Sequence, residues 1–191
     1  HLVAHLAFGR RDLAEPAVAR RVWAGMQRAF PEALGTVIMP DHVHLDEETD
    51  DPDEARRELA QALSRATYGM GERLWLPIPA PELVREEKLR RVVRYVLLNP
   101  CRRGLTTDPA AWIWSTYRDV MGATARPWVD APRLARRLGE REVGFPERFQ
   151  RYVTQDGRVE EQARQRFVPA EPTDSPKHCL EEIAVAVAAS L

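Results

Sequence analysis

The order of hydrophobic patterns in the first part of the chain constrains its fold more than any other feature. The patterns change from strand to helix, then to two short strands, then to helix again, over residues 2–8, 17–30, 36–39, 42–45 and 53–68. Pro40 and Asp41 supply turn residues between the two short strands, which predicts a β-hairpin. This order predicts an α+β fold in which helices lie on one face of an antiparallel sheet. The ferredoxin-like split βαβ plan is the nearest named arrangement.

The second half of the chain carries a further long helical pattern and then shorter elements. A helix is predicted over 81–98, and Asn99 ends it because Pro100 disfavours helical backbone in the residue before it. Prolines interrupt the apolar segment 74–81, which is predicted as an edge strand or an extended connector. The aromatic-rich segment 112–122 is expected to pack over the core. We therefore predict a main domain, a helical tail packed on it, and a linker that leads into the start of another helix, at 1–122, 123–157 and 158–191.

Composition excludes several classes of protein. No apolar run approaches the roughly 20 residues that span a bilayer, so we expect neither a membrane span nor a membrane partner. The chain shows no secretory leader, and Cys101 and Cys179 lack the spacing of a metal site, which favours a reduced, cytoplasmic protein. Because the sequence starts at His1 rather than Met, we expect further residues upstream.

Charge is balanced in total but segregated along the chain. Lysine and arginine number 28 against 29 acidic residues, and this balance argues against a uniformly basic nucleic-acid-binding protein. Residues 46–54 hold seven carboxylates and no base, which predicts a solvated loop that runs into a helix. Residues 85–104 hold seven bases against two acids, and such a patch is typical of contact with a phosphate backbone. A solvated basic helix face is the alternative.

His42 and His44 form the first candidate site. Side chains at i and i+2 of a strand share a face, so both imidazoles are expected on one side while Val43 and Leu45 point to the core. Two neighbouring imidazoles make up half of a divalent-metal site. A pair of surface histidines on a hairpin is the other reading.

Tyr95 and Asn99 form the second candidate site. They lie one turn apart on the predicted helix, with Arg91 one turn before Tyr95 and Arg94 next to it. A tyrosine nucleophile needs nearby cations to stabilise its charge and to neutralise a phosphate. The alternative is that Tyr95 is half-buried in the core and that Asn99 only ends the helix.

Taken together, these motifs resemble the REP-associated tyrosine transposases, which are single-tyrosine members of the HUH nuclease superfamily. The resemblance is carried by Met39-Pro-Asp-His-Val-His-Leu45 followed by Tyr95-Val-Leu-Leu-Asn-Pro-Cys-Arg-Arg-Gly-Leu105. Trp112-Ile-Trp-Ser-Thr-Tyr-Arg118 and Trp128-Val-Asp130 are similar to later segments of that family, and His178 to Ala186 resembles the start of an appended helix-turn-helix. The fold that the family implies is again a ferredoxin-like sheet, which makes 1–122 a transposase-like catalytic domain.

The resemblance also implies a role for each matching residue. His42, His44 and Asn99 match the ligands of a divalent cation, Mg²⁺ or Mn²⁺, and Tyr95 matches the catalytic nucleophile. The implied reaction is nicking and strand transfer of single-stranded or hairpin DNA through a 5′-phosphotyrosine intermediate. The bases expected to contact this DNA are Arg90, Arg91, Arg94, Arg102 and Arg103.

Two other functions remain open from the sequence. The chain can be a domesticated nucleic-acid-binding module that retains the fold without turnover, or a metal-dependent phosphodiesterase that uses water. Either a monomer or a homodimer is compatible with the sequence.

Overall fold

The computed structural model describes residues 1–7, 9–71 and 74–154, which form a three-stranded sheet and seven α-helices. The strands are β1 (Leu2–His5), β2 (Gly35–Ile38) and β3 (His42–Asp46). The helices are α1 (Pro16–Ala29), α2 (Pro52–Ala66), α3 (Glu86–Leu97), α4 (Asn99–Arg102), α5 (Tyr117–Val120), α6 (Ala131–Arg137) and α7 (Phe145–Thr154). The predicted α+β class and the β2–β3 hairpin are therefore confirmed.

The sheet is antiparallel with the strand order β1-β3-β2. On the outer side of β1, Leu6 forms a single antiparallel bridge with Trp75, and Leu76 N–H donates to the His5 carbonyl at 2.9 Å. This pairing goes no further because Pro77, Pro79 and Pro81 lack the N–H that a ladder needs. Segment 74–81 is thus an extended connector with one bridge.

One face of the sheet is covered by α1 and α2. Every second residue of each strand points to this side, and these residues share one buried cluster with both helices. The strands contribute Leu2, Ala4, Ile38, Val43 and Leu45, and the helices contribute Val22, Met26, Leu59 and Leu63. The predicted inward orientation of Val43 and Leu45 is confirmed, since both belong to this cluster with α1 and α2.

Helix α3 lies across the opposite face, so the prediction of helices on one face only is wrong for this helix. Val96 of α3 is buried with Val37 and Met39, which point away from α1 and α2. Gly35 also faces α3, because a Cβ there would be in ordinary van der Waals contact with Val93 at 3.6 Å. The helical spacing of apolar residues in α3 predicted that one side of this helix is buried. It did not predict which face of the sheet that side covers, which is the face with Val37 and Met39.

Helix α3 also begins later than predicted. Its expected start at 81 is displaced to Glu86 because Glu82 pairs with the first residue of the chain. The N–H of Glu82 donates to the His1 carbonyl and the Glu82 carbonyl accepts from the His1 backbone nitrogen, both at 2.9 Å. Two acidic residues, Glu86 and Glu87, then occupy the first helical turn, where the helix dipole favours them.

The aromatic-rich segment protects the outer edge of β2. Ser115 forms a bridge with Val37, and the Trp112 indole N–H donates to the Ile38 carbonyl at 2.9 Å. Trp112 and Tyr117 are both buried, as the expected packing over the core requires.

Helices α6 and α7 pack on α3 rather than on the sheet. Phe145, Phe149 and Val153 of α7 share a buried cluster with Leu89 and Val93 of α3. The predicted linker and helix start at 158–191 lie outside the described residues. Within the described part of the chain, no helix is both long and apolar enough to cross a membrane.

Candidate active site on the sheet

His42 and His44 lie on the sheet face that α3 crosses. Alternation along β3 places both imidazoles on one side, as predicted, while the intervening Val43 enters the core. Their exposed fractions are only 5% and 6%, so they are not a surface pair. Burial lowers the pKa of His42 and, with the neighbouring histidines and Arg103, lowers that of His44 to about 2. Both imidazoles are therefore neutral near physiological pH.

A continuous row of polar contacts joins these histidines to two carboxylates. Nε2 of His42 lies 3.0 Å from Nε2 of His44, while Nδ1 of His42 lies 2.6 Å from Asp41 Oδ1. On the other side, Nδ1 of His44 lies 3.3 Å from Nε2 of His1, and Nδ1 of His1 lies 2.7 Å from Asp46 Oδ1. The row thus runs Asp41, His42, His44, His1, Asp46.

Three neutral imidazoles supply three protons for the four contacts of this row. A neutral imidazole has one N–H and one lone pair. If His42 and His1 donate from Nδ1 to the carboxylates, His44 has one proton for its two contacts. A proton on Nδ1 is donated to His1 Nε2 at 3.3 Å and leaves the Nε2 lone pairs of His42 and His44 facing each other, an arrangement that a cation between them would stabilise. A proton on Nε2 is instead donated to His42 Nε2 at 3.0 Å, as a hydrogen bond between the two imidazoles.

The spacing of these nitrogens fits a divalent cation. Two ligands at right angles, with bonds of about 2.1 Å, lie about 3.0 Å apart, which is the distance between the two Nε2 atoms. Among the described residues there is no group of three or more His, Cys, Asp or Glu side chains suited to a metal. The remaining ligands of a cation here would be an amide, water or substrate.

Tyr95 lies next to this histidine pair. Its ring stands edge-on to His44, with 6.1 Å between ring centroids and an interplanar angle of 84°. The side chain is 41% exposed, so it is accessible to a large substrate and is not a core residue. The Arg102 guanidinium carbon lies 4.5 Å from the Tyr95 ring centroid, which places a positive charge at the ring.

Asn99 is buried one turn after Tyr95, at the start of α4. Its amide nitrogen donates to the Tyr95 carbonyl at 3.3 Å. The amide oxygen is directed away from this bond, and it is the atom that a hard cation prefers. The prediction that Asn99 ends the helix is wrong, because α3 ends at Leu97 and Asn99 begins α4, whose first turn accommodates Pro100. The bond to Tyr95 does not use the amide oxygen of Asn99.

The five predicted DNA-contacting arginines separate into two groups. Arg90 pairs with Glu140 at 2.8 Å, and Arg94 donates to the carbonyls of Tyr152 and Val153. Arg94 thus holds α7 against α3, while Arg90 holds Glu140, which precedes α7, and also lies over the Tyr152 ring of α7. Arg91, Arg102 and Arg103 are exposed, and Arg103 lies 3.6 Å from Asp41 beside the histidine row. The structure thus brings Arg102 and Arg103, but not Arg90 and Arg94, to the histidines and Tyr95.

Asp41 links the histidine row to this basic group. Burial alone would raise the pKa of its carboxyl, but the hydrogen bond from His42 and the charge of Arg103 bring that pKa below its usual range. Asp41 is therefore an anion that holds the His42 proton on Nδ1.

Sequence reasoning missed His1 and His5, and it assigned Asp46 to a solvated acidic loop. The β1–β3 register places His5 opposite His42 and Leu2 opposite Leu45, so His1 and His5 point to the same face as the histidine pair. His5 stacks on His42 with 4.9 Å between ring centroids. The sequence signal that could have found His1 and His5 is strand alternation. Leu2 and Ala4 face the core, so His1 and His5 lie on the opposite face of the strand.

The prediction of a solvated acidic loop at 46–54 is wrong at its start, whereas its end runs into a helix as predicted. Asp46 is the last residue of β3 and is 3% exposed, bonded to His1. Burial raises the pKa of Asp46, while the hydrogen bond with His1 opposes this rise. Asp51 caps α2 by accepting from the Glu54 N–H at 2.8 Å, and the helix starts at Pro52.

Comparison with known proteins assigns no family to the chain. No family model matches it, and no curated protein matches it. A solved structure of a REP-associated tyrosine transposase bound to a REP hairpin aligns with a TM-score of 0.47 and 21% sequence identity. The alignment covers 66% of this chain and 81% of that chain. A likeness at this level assigns neither family nor activity.

Proposed function

We propose that this protein is a divalent-metal-dependent tyrosine nuclease and strand transferase that acts on single-stranded or hairpin DNA. The observation that carries the proposal is the convergence of the Nε2 atoms of His42 and His44, 3.0 Å apart, beside an accessible tyrosine. The motifs at 39–45 and 95–105, which resemble those of REP-associated tyrosine transposases, support the same function.

The proposal also includes a ferredoxin-like fold and a cytoplasmic location. The strand order β1-β3-β2, with the Leu6–Trp75 bridge outside β1, supports a ferredoxin-like sheet whose fourth strand is reduced to one bridge. Two cysteines without metal spacing support a reduced, cytoplasmic setting.

Each residue has a distinct part in the proposed reaction. A divalent cation, Mg²⁺ or Mn²⁺, held by His42, His44 and Asn99 would polarise the scissile phosphate. The Tyr95 hydroxyl oxygen bonds to phosphorus as the bond from phosphorus to the 3′ oxygen breaks. The products are a 5′-phosphotyrosine and a free 3′-hydroxyl, which takes up the proton released by the phenol.

The exposed bases fit the substrate of this reaction. Arg102 at the Tyr95 ring and Arg103 beside Asp41 lie where phosphates flanking the scissile bond would pass. Arg91 lies one turn before Tyr95 and extends the same helix side. Exposed guanidinium groups of this kind supply the sequence-independent part of DNA binding.

Covalent capture tests the proposal. The full chain is incubated with Mn²⁺ and a pool of single-stranded and hairpin oligonucleotides labelled at the 3′ end, then separated under denaturing conditions. We expect a labelled protein–DNA adduct that is lost in Tyr95→Phe. Tyr68→Phe is the matched control, since Tyr68 is 89% exposed, and it should form the adduct at the wild-type level.

Other outcomes distinguish the alternative functions. Cleavage without an adduct, unchanged in Tyr95→Phe, would show a phosphodiesterase that uses water. Salt-sensitive binding without cleavage, which survives His42→Ala and Tyr95→Phe together, would show a nucleic-acid-binding module without turnover. Either outcome contradicts the assignment of Tyr95 as the nucleophile.

A further inference from the structure

His44 is backed by a buried pair of residues that come from opposite ends of neighbouring strands. His1 precedes β1 and Asp46 ends β3, and the antiparallel register places them side by side. Their side chains are 8% and 3% exposed. The backbone of His1 is fixed on its other side by two hydrogen bonds with Glu82.

We propose that His1 and Asp46 are a positioning pair that holds the ring proton of His44 on Nδ1 and so keeps the lone pair on Nε2. This inference rests on the proposed metal-dependent function. Asp46 accepts from His1 Nδ1 at 2.7 Å, which leaves His1 Nε2 as an acceptor for the His44 Nδ1–H at 3.3 Å. The Asp46 carboxylate thereby acts on His44 through an intervening imidazole.

The two central histidines differ in how they reach a carboxylate. His42 contacts Asp41 directly at 2.6 Å, the usual arrangement in which an outer carboxylate fixes a metal-binding histidine. No carboxylate among the described residues makes such a direct contact with His44, whose Nδ1 meets His1 instead. Removing the acceptor at position 1 frees His44 to place its proton on Nε2, where it blocks the ligand lone pair.

The first test measures Mn²⁺ affinity in the full chain by the EPR signal of free Mn²⁺. His1→Leu should weaken Mn²⁺ binding about 10- to 100-fold, the usual effect of losing an outer hydrogen-bond partner of a ligand. His1→Gln retains an amide oxygen as acceptor and should stay within a few-fold of wild type. His5→Leu is the matched control, because it removes an imidazole from the same strand face that stacks on His42 without joining the row.

The second test reads the His44 tautomer by ¹⁵N NMR in the wild-type chain and in His1→Leu. We expect the proton on Nδ1 in wild type and a shift towards Nε2 in the variant. An Nε2-protonated His44 in the wild-type chain would overturn the proposal without any variant. Unchanged Mn²⁺ affinity and an unchanged His44 tautomer in folded His1→Leu would overturn it as well.

Failure of the metal function has a different signature. If wild type binds Mn²⁺ no better than His44→Ala, the proposed metal-dependent function fails, whatever the tautomer is. If wild type binds Mn²⁺ and loses it in His44→Ala but not in His1→Leu, the function stands and the positioning pair is wrong.

Discussion

Burial favours the neutral form of the two histidines and of Glu47, so it shifts their pKa values in opposite directions. It keeps His42 and His44 neutral, the state in which imidazole binds metal. For Glu47, burial together with the neighbouring Glu32, Glu58 and Glu48 raises the carboxyl pKa to about 7, although Arg133 opposes the rise. Its Oε2 atom is buried without a hydrogen-bond partner among the described residues. The Glu47 carboxylate therefore destabilises the fold when it is charged.

This residue gives a pH-dependent prediction. The folded pKa of Glu47, about 7, lies above its ordinary value of 4.5, so the penalty is absent below pH 4.5 and complete above pH 7. Glu47→Gln should raise the free energy of unfolding at pH 8 by about 1 kcal/mol, after discounting for solvent screening. Near pH 4.5 the variant and wild type should unfold alike.

Urea unfolding at both pH values measures this difference. Glu58→Gln removes an exposed carboxylate nearby and serves as the control, with a smaller effect at pH 8. Equal stability of Glu47→Gln and wild type at pH 8 would show that Glu47 carries no such penalty.

The orientation of the histidine pair could be predicted from the sequence, but the burial of Asp46 could not. The spacing of His42 and His44 was enough to place both imidazoles on one face and Val43 and Leu45 in the core. It could not place Asp46, because a run of acids normally marks solvent. The partner that buries Asp46 is His1, 45 positions earlier, and only the β1–β3 register brings the two together.

At the level of elements, α3 divides its arginines between two tasks. Arg90 and Arg94 are one turn apart and meet α7, where both guanidinium groups also stack over the Tyr152 ring. Arg91 and Tyr95 are one turn apart on a neighbouring side of the helix. Charge counting along the sequence finds the basic cluster, but the position of α7 determines which members remain at the surface.

This division predicts different effects for two substitutions. Arg94→Ala should lower the free energy of unfolding by about 1–2 kcal/mol, because it removes charged hydrogen bonds that attach α7. It should leave DNA affinity unchanged. Arg102→Ala should reduce the slope of log affinity against log salt by about 1 and change stability by less than about 0.5 kcal/mol.

Urea unfolding and fluorescence anisotropy with a labelled hairpin oligonucleotide, at several salt concentrations, measure both quantities. A reduced salt slope in Arg94→Ala would place Arg94 on the DNA and contradict the division.

For the molecule as a whole, the order of elements was predictable and their layering was not. Hydrophobic period and turn residues predicted the sheet and the hairpin and placed α1 and α2 within a few residues of their observed bounds. Helix α3 begins five residues later than predicted, and the short helices α4 and α5 were not predicted. They do not specify which face of the sheet a helix covers. Because α3 crosses the face opposite α1 and α2, it places Tyr95 beside His44, and this juxtaposition forms the site.

The central claim is that His42 and His44 hold a divalent cation between their Nε2 atoms, next to Tyr95. Anomalous diffraction from crystals of the full chain grown with Mn²⁺ tests it most directly. We predict a manganese peak about 2.2 Å from both Nε2 atoms, with His42 and His44 still bonded through Nδ1 to Asp41 and His1. At saturating Mn²⁺, two Nε2 atoms that stay 3.0 Å apart with no peak between them would contradict the claim.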